Sequence, residues 1–136
     1  MTRDLVFVSH SNPEDDQFSL WLALQLASEG YKVWCDLTQL IGGEKWWDEI
    51  EDAIRKDTVK FLYVLSRSSN HKSGPRRELH MAQNVERQDS LKHFVIPLHI
   101  DDLPHQEMNI QISDTNAIEF NTGWCSGFHR LLDRLV

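Results

Sequence analysis

The sequence predicts a single α/β domain built on a parallel, doubly wound β-sheet. Short apolar runs of strand length alternate along the 136 residues with longer segments in which apolar residues recur at helical spacing. The clearest run is residues 60–65, which are nearly all aromatic, β-branched or leucine, as expected for a strand covered on both faces. Strands that alternate with helices pair in parallel through right-handed crossovers, and this alternation therefore favours a doubly wound sheet.

The first strand, Leu5–Val8, runs directly into a polar turn. Asn12 and Pro13 have the residue types that are preferred at the N-cap and the first position of a helix, which we expect to continue over residues 14–29. That helix is apolar on more than one side, so it is expected to be substantially buried. Gly30 follows it in the position where glycine usually ends a helix.

The second strand is predicted at residues 31–35, and Asp36 follows it directly. Next come a loop, residues 37–45, and a second helix that carries Trp46, Trp47, Ile50 and Ile54. The third strand, residues 60–65, leads into Ser66 and a polar loop.

Pro75 is expected to open a third helix, with Glu78 in its first turn. Residues 94–98 form a fourth predicted strand, whose internal Pro97 suggests a place near an edge or at a bulge. Residues 101–116 are polar and aperiodic, which predicts a loop with at most one short helix.

The chain ends with a short fifth strand, residues 117–120, and an amphipathic helix. The helix is predicted from apolar residues at i, i+3, i+4 and i+7, namely Phe128, Leu131, Leu132 and Leu135. We expect five such strands to adopt the common flavodoxin-like order 2-1-3-4-5, with helices on both faces.

Composition narrows the function classes. The 136 residues, 40% of them apolar, are enough for one packed core and too few for two domains. The net charge of −7 disfavours nucleic acid and anionic membranes as main partners. Cys35 and Cys125 fit no zinc or redox spacing, and no segment resembles a signal peptide or a membrane span, so a reduced, cytoplasmic protein is expected. Residues 1–136 are compatible with one domain of a longer protein.

Several familiar sites are absent from the sequence. The seven histidines are scattered, and none pairs with another ligand at i, i+4, so we predict no metal site. There is no Walker loop, no G-x-G-x-x-G and no G-x-S-x-G, which leaves ATPase, dinucleotide oxidoreductase and serine hydrolase functions without support.

Polar residues follow the strands that flank the predicted switch point of the sheet. In the order 2-1-3-4-5, the carboxyl ends of strands one and three open into one crevice, where ligands bind in such folds. Ser9 and His10 follow the first strand, Asp36 the second, and the segment from Ser66 to Glu78 the third. The topology therefore predicts a ligand site made from these segments.

Five short motifs in this order resemble the TIR (Toll/interleukin-1 receptor) domain, and they span most of the chain. They are Val6-Phe7-Val8-Ser9-His10, Val33-Trp34-Cys35-Asp36, Gly43-Glu44-Lys45-Trp46, Tyr63-Val64-Leu65-Ser66 and Arg77-Glu78-Leu79. The pattern is nearer to bacterial NAD-cleaving members than to the receptor type. The resemblance implies an NAD⁺ glycohydrolase whose catalytic glutamate opens the third helix, which is Glu78 here. It also implies NAD⁺ as substrate without a further cofactor, and a role in prokaryotic immune or cell-death signalling.

The resemblance assigns the rest of the pocket to Ser9, His10, Asp36 and Trp46. The family motif usually places a tryptophan four residues before the catalytic glutamate, where this chain has Gly74. The aromatic contact to the substrate is therefore expected to come from Trp46 or Trp47, of which Trp46 matches the aromatic position of the family better.

A single carboxylate suits this reaction. Most glycosidases need a second acid because a sugar alkoxide leaves poorly, whereas nicotinamide is cationic when attached and leaves as a neutral molecule. One carboxylate can then stabilise the positive charge that develops on the ribose.

The resemblance also implies self-association. In such domains the loop after the second strand contacts a neighbouring copy and helps to complete the site. Here that loop contains Leu40 and Ile41 followed by Gly42 and Gly43, an apolar pair next to two residues that allow a wide range of backbone conformations. An attached or separate sensor domain is a further expected partner.

Each candidate residue also has a structural interpretation. Glu78 is compatible with a first-turn acid that favours the helix dipole, and Ser9 and His10 with turn residues that cap the next helix. Asp36 is compatible with a loop-closing residue and Trp46 with core packing. Two other functions stay open: a TIR module that only recruits other TIR domains, and a nucleoside-processing transferase.

Overall fold

The computed structural model describes residues 3–35, 49–108 and 117–135. Its five strands are parallel and lie in the order β2-β1-β3-β4-β5, which confirms the predicted flavodoxin-like sheet. The strands are β1 (Leu5–Ser9), β2 (Lys32–Cys35), β3 (Thr58–Leu65), β4 (Val95–His99) and β5 (Ile118–Glu119). The helices are α1 (Asp16–Ser28), α2 (described over residues 49–52 and continued by the π-helical segment Ala53–Asp57), α3 (Ser73–Gln88) and α4 (Trp124–Leu135). A 3₁₀ turn, His105–Glu107, follows β4.

Two apolar layers cover the sheet, one on each face. Alternate residues of β1 point to opposite faces, as the pleat of a strand requires. Leu5 and Phe7 pack in the layer under α2 and α3, whereas Val6 and Val8 pack in the layer under α1 and α4. Ser9 therefore continues the row of Leu5 and Phe7 toward α3, at the carboxyl edge of the sheet.

Helix α1 begins later than the sequence predicts. Residues 12–15 form a turn, and the first helical residue is Asp16 rather than Pro13. In this turn the Asp15 backbone N–H donates to the Ser11 carbonyl oxygen at 2.9 Å. The turn directs the Asp15 carboxylate inward to the Ser66 hydroxyl, a long-range contact that the local sequence does not show.

Helix α3 begins earlier than the sequence predicts. Its first residue is Ser73, so Pro75 lies third in the helix, where its missing N–H has no intrahelical partner to lose. As a consequence, Glu78 lies in the second turn, and the prediction of a first-turn position is wrong. The helix dipole acts mainly within the first turn, so a dipole role explains Glu78 poorly.

Other boundaries agree with the sequence. Gly30 has a φ of +93° and donates to the Ala27 carbonyl while Tyr31 donates to the Leu26 carbonyl, the usual pattern of a glycine-terminated helix. Pro97 lies in β4, next to an edge strand of two residues. In helix α4, Phe128 and Leu131 face the core as predicted.

Candidate functional site

The centre of the candidate site is a hydrogen bond between Ser9 and Glu78. The Ser9 hydroxyl donates to Oε1 of Glu78 at 2.5 Å, across 69 residues of sequence. Ser9 is the last residue of β1, and Glu78 lies in the second turn of α3. The structure therefore brings together two of the predicted site residues at the carboxyl edge of the sheet.

A second hydrogen bond joins the turn after β1 to the loop after β3 at a buried carboxyl group. The Ser66 hydroxyl, just after β3, donates to Oδ2 of Asp15 at 2.5 Å, and both residues are buried. Burial raises the pKa of the Asp15 carboxyl above its ordinary value, and the hydrogen bond from Ser66 opposes that effect. The nearby carboxylate of Asp101 raises this pKa as well.

Further side-chain contacts close the crevice between the ends of β1 and β3. The hydroxyls of Ser11 and Ser68 lie 2.7 Å apart. The Lys72 ammonium donates to the Asn12 carbonyl oxygen at 2.9 Å and to Oε1 of Glu14 at 2.6 Å. These contacts hold the loop after β1 against the loop after β3, which fixes Ser9 relative to the start of α3.

His10 is directed to α1. Its ring is almost fully buried, and Nε2 lies 2.8 Å from Oδ1 of Asp16, the first residue of α1. This contact agrees with the structural interpretation, in which His10 stabilises the start of the helix. The predicted role of His10 in substrate binding stays a prediction.

Space and positive charge are both present around α3. A Cβ atom added at Gly74, one helical turn before Glu78, would have no other described atom within 4 Å apart from its chain neighbours and the backbone of α3 itself. The solvent-facing side of the helix forms an open depression of about 440 Å³, lined by Ser73, Arg76, Arg77 and His80. The helix that carries Glu78 thus combines a carboxylate at the sheet edge with basic side chains on its outer face.

Several predicted site residues lie outside the described residues. They are Asp36, Trp46 and the self-association residues Leu40, Ile41, Gly42 and Gly43. Within the described ranges, no group of three or more His, Cys, Asp or Glu side chains is arranged to hold a metal ion.

Sequence reasoning missed the role of Asp15 because it placed this residue within a helix. Its contact with Ser66 spans 51 residues, so no local pattern could have shown it. The available signal was a carboxyl group and a hydroxyl group in two loops that the predicted topology brings to one crevice.

The sheet order and the bonded Ser9–Glu78 pair define a doubly wound α/β domain with a carboxylate at its switch point. A family model for the TIR domain matches residues 6–136, and the chain belongs to this family. None of the helices in the described part of the chain has the length and apolar character needed to span a membrane.

One curated relative and two solved structures illustrate the likeness. The chain is 35% identical over 133 residues to the uncharacterized protein y4cD of Sinorhizobium fredii (strain NBRC 101917 / NGR234). The match covers 98% of this chain and 20% of that protein, so the chain spans about a fifth of the length of this relative.

Both solved structures share the fold at low sequence identity. The TIR domain of the Toll-related receptor TRR-2 from Hydra magnipapillata has a TM-score of 0.74 at 18% identity, with 98% of this chain and 97% of that chain covered. The TIR domains of the activated Roq1 resistosome, which recognises the pathogen effector XopQ, give a TM-score of 0.75 at 14% identity, with 97% and 99% covered.

Proposed function

We propose that this TIR domain is an NAD⁺ glycohydrolase that cleaves the bond between nicotinamide and ribose, with Glu78 as its catalytic residue. The observation that carries the proposal is the position of Glu78: a carboxylate at the switch point of the sheet, held by Ser9 at 2.5 Å. Ligands bind at this place in doubly wound folds. The product is ADP-ribose or a cyclic variant of it.

Cleavage of this bond requires few protein groups besides this carboxylate. As the glycosidic bond breaks, the electron pair leaves with nicotinamide, which becomes neutral, and positive charge develops on the ribose. An ionised Glu78 close to that ribose would stabilise the charge in the transition state more than in the ground state. Water, or a nucleophile of the substrate itself, then attacks the anomeric carbon.

The basic outer face of α3 supports an anionic dinucleotide as substrate. The protein carries a net charge of −7, which repels anions on average. The guanidinium groups of Arg76 and Arg77 concentrate positive charge on the helix that also holds Glu78. A local positive potential of this kind would attract the diphosphate of NAD⁺ toward the helix that carries Glu78.

Nicotinamide release from NAD⁺ tests the proposal, with concentrated protein and a crowding agent. We expect Glu78→Gln to lower turnover by about 100-fold or more, the loss typical when one group that stabilises the transition state is removed. Glu29→Gln is the matched control because Glu29 is an exposed acid at the C-terminal end of α1, the end opposite to the loop after β1. Equal release by wild type and Glu78→Gln would contradict the role of Glu78.

A non-catalytic interaction module is the second candidate. Gly74 favours it, because the tryptophan of the enzymatic family motif is missing at this position. The TIR domains of the activated Roq1 resistosome show this fold within a larger assembly. Folded wild-type protein that assembles without releasing nicotinamide would support this second candidate.

We further propose that assembly activates the enzyme and that it acts in prokaryotic immune or cell-death signalling. The bacterial relative y4cD, which is about five times longer than the matched segment, supports a place in a larger bacterial protein.

A further inference from the structure

We propose that Ser9 is a positioning residue, whose hydroxyl holds the Glu78 carboxylate in its working orientation, and that Ser9 does not contact the substrate. The inference rests on the proposed catalytic role of Glu78. It changes the role that the sequence predicts for Ser9.

The fold places Ser9 rigidly beneath α3. Leu5, Phe7 and Ser9 form one row on the face of β1 that α2 and α3 cover, and the first two belong to the core with Leu79 of α3. Strand and helix are thus fixed to each other by packing next to the Ser9–Glu78 pair. Sites held by packed strands and helices are more precise than sites on loops.

The burial of Ser9 favours a positioning role over direct contact with the substrate. Only 2% of its surface is exposed, so little of the residue is accessible to a ligand. A hydroxyl has one proton to donate. The 2.5 Å distance to Oε1 is typical of a hydroxyl that donates to a carboxylate, so this proton is already committed to Glu78.

The hydrogen bond has two effects that matter for catalysis. It restricts the rotation of a long glutamate side chain and thereby reduces the number of orientations that the carboxylate can adopt. It also favours the ionised form, because a carboxylate accepts such a bond better than a carboxylic acid does. Both effects act on the transition state through Glu78, so they should appear in kcat more than in KM.

The variant pair that tests this is Ser9→Ala against Ser19→Ala. Ser19 is fully buried in α1, and its hydroxyl has no hydrogen-bond partner among the described residues, so its removal is expected to cost the fold little. We expect Ser9→Ala to lower kcat about 10- to 100-fold with nearly unchanged KM, the range for a lost bond to a charged group. The acidic limb of its pH–rate profile should move to higher pH, whereas Ser19→Ala should behave as wild type.

The conservative variant Ser9→Cys tests whether kcat follows the strength of the side-chain donor. Ser9→Cys keeps a side-chain donor that is weaker than a hydroxyl. Its kcat should therefore lie between those of wild type and Ser9→Ala. A raised KM with unchanged kcat in Ser9→Ala would instead show that Ser9 contacts the substrate, and it would overturn the inference.

A readout that needs no activity separates this inference from the proposed function. In protein labelled with ¹³C at glutamate carboxyl carbons, the Glu78 signal is assigned by its loss in Glu78→Gln. We expect its titration midpoint to rise by about one pH unit or more in Ser9→Ala and to stay unchanged in Ser19→Ala.

The two readouts together decide both questions. If wild type releases no nicotinamide but the midpoint moves, the proposed function is wrong and the hold of Ser9 on Glu78 stands. If wild type is active and Ser9→Ala changes neither kcat nor the midpoint, the inference about Ser9 is wrong. Circular dichroism and thermal unfolding of each variant confirm that the comparison is made between folded proteins.

Discussion

At the scale of single residues, the buried carboxyl group of Asp15 makes stability depend on pH. Its folded-state pKa is raised by burial, so the folded protein binds this proton more tightly than the unfolded chain does. The free energy of unfolding therefore decreases as pH rises from the ordinary aspartate pKa, about 3.9, through the raised folded-state pKa. This direction is opposite to that of a surface aspartate in an ion pair.

Asp15→Asn should remove the loss of stability that accompanies ionisation of the buried Asp15 carboxyl group. The amide oxygen can still accept from the Ser66 hydroxyl, which donates to Oδ2 of Asp15 in the wild type. We expect the variant to have a higher free energy of unfolding than wild type at pH 7, and the difference to shrink toward pH 3, where both states of the wild type are protonated. Urea denaturation at each pH measures the difference.

Asp133→Asn is the control, because Asp133 is exposed on α4. It should show no comparable gain at pH 7. A loss of stability for Asp15→Asn that is larger at pH 7 than at pH 3 would show that the fold requires the ionised carboxylate, and it would contradict this prediction.

At the scale of elements, two glycines have different surroundings, so replacing each by alanine should change the free energy of unfolding in opposite directions. A Cβ at Gly127 of α4 would lie 2.7 Å from the fully buried ring of Phe120 and 2.9 Å from the Glu119 carbonyl oxygen. We expect Gly127→Ala to destabilise the protein by about 1–3 kcal/mol, as overpacking of a core does. The methyl group of Gly74→Ala meets none of the described side chains, so this substitution in α3 should stabilise the protein by up to about 1 kcal/mol.

Urea denaturation with unchanged m-values would measure both effects. Equal stability of Gly127→Ala and wild type would mean that α4 can move away from β5 at little cost. Because Gly74 lies one turn before Glu78, nicotinamide release by Gly74→Ala also shows whether the site tolerates a side chain at this position.

The sheet was predictable from the sequence, and the helix starts were not. Strand positions and order follow from apolar runs and from the crossover rules, which are local or topological. The starts of α1 and α3 depend instead on long-range contacts, such as the one between Asp15 and Ser66, across 51 residues. Such contacts compete with the capping preferences of Asn12 and Pro13 and outweigh them.

The same distinction holds for the candidate site. The convergence of Ser9 and Glu78 was predictable, because both follow strands that flank the switch point. The hydrogen bond between Ser9 and Glu78 was not predictable, and neither was the contact of His10 with Asp16. Such side-chain partners depend on how the strand and the helices pack.

At the scale of the whole molecule, net charge should govern assembly. Two copies that each carry −7 repel each other, and this repulsion extends over about 30 Å at 0.01 M salt but only about 8 Å at 0.15 M. If self-association completes the site, turnover per protomer should rise with protein concentration, and more steeply at 0.15 M salt than at 0.01 M. Measurement at saturating NAD⁺ separates this effect from screening of the substrate.

Leu40→Ala and Leu24→Ala form the matched pair for that experiment. Leu40 belongs to the loop that the sequence predicts to contact a neighbouring copy, whereas Leu24 is a leucine on α1 with 61% of its surface exposed. Loss of the loop contact should flatten the dependence of turnover on concentration in Leu40→Ala, and Leu24→Ala should keep it. Sedimentation of the same samples relates turnover to assembly. If samples shown to be monomeric turn over as fast per protomer as assembled ones, each domain carries a complete site, and contact of the loop with a neighbouring copy is not needed for catalysis.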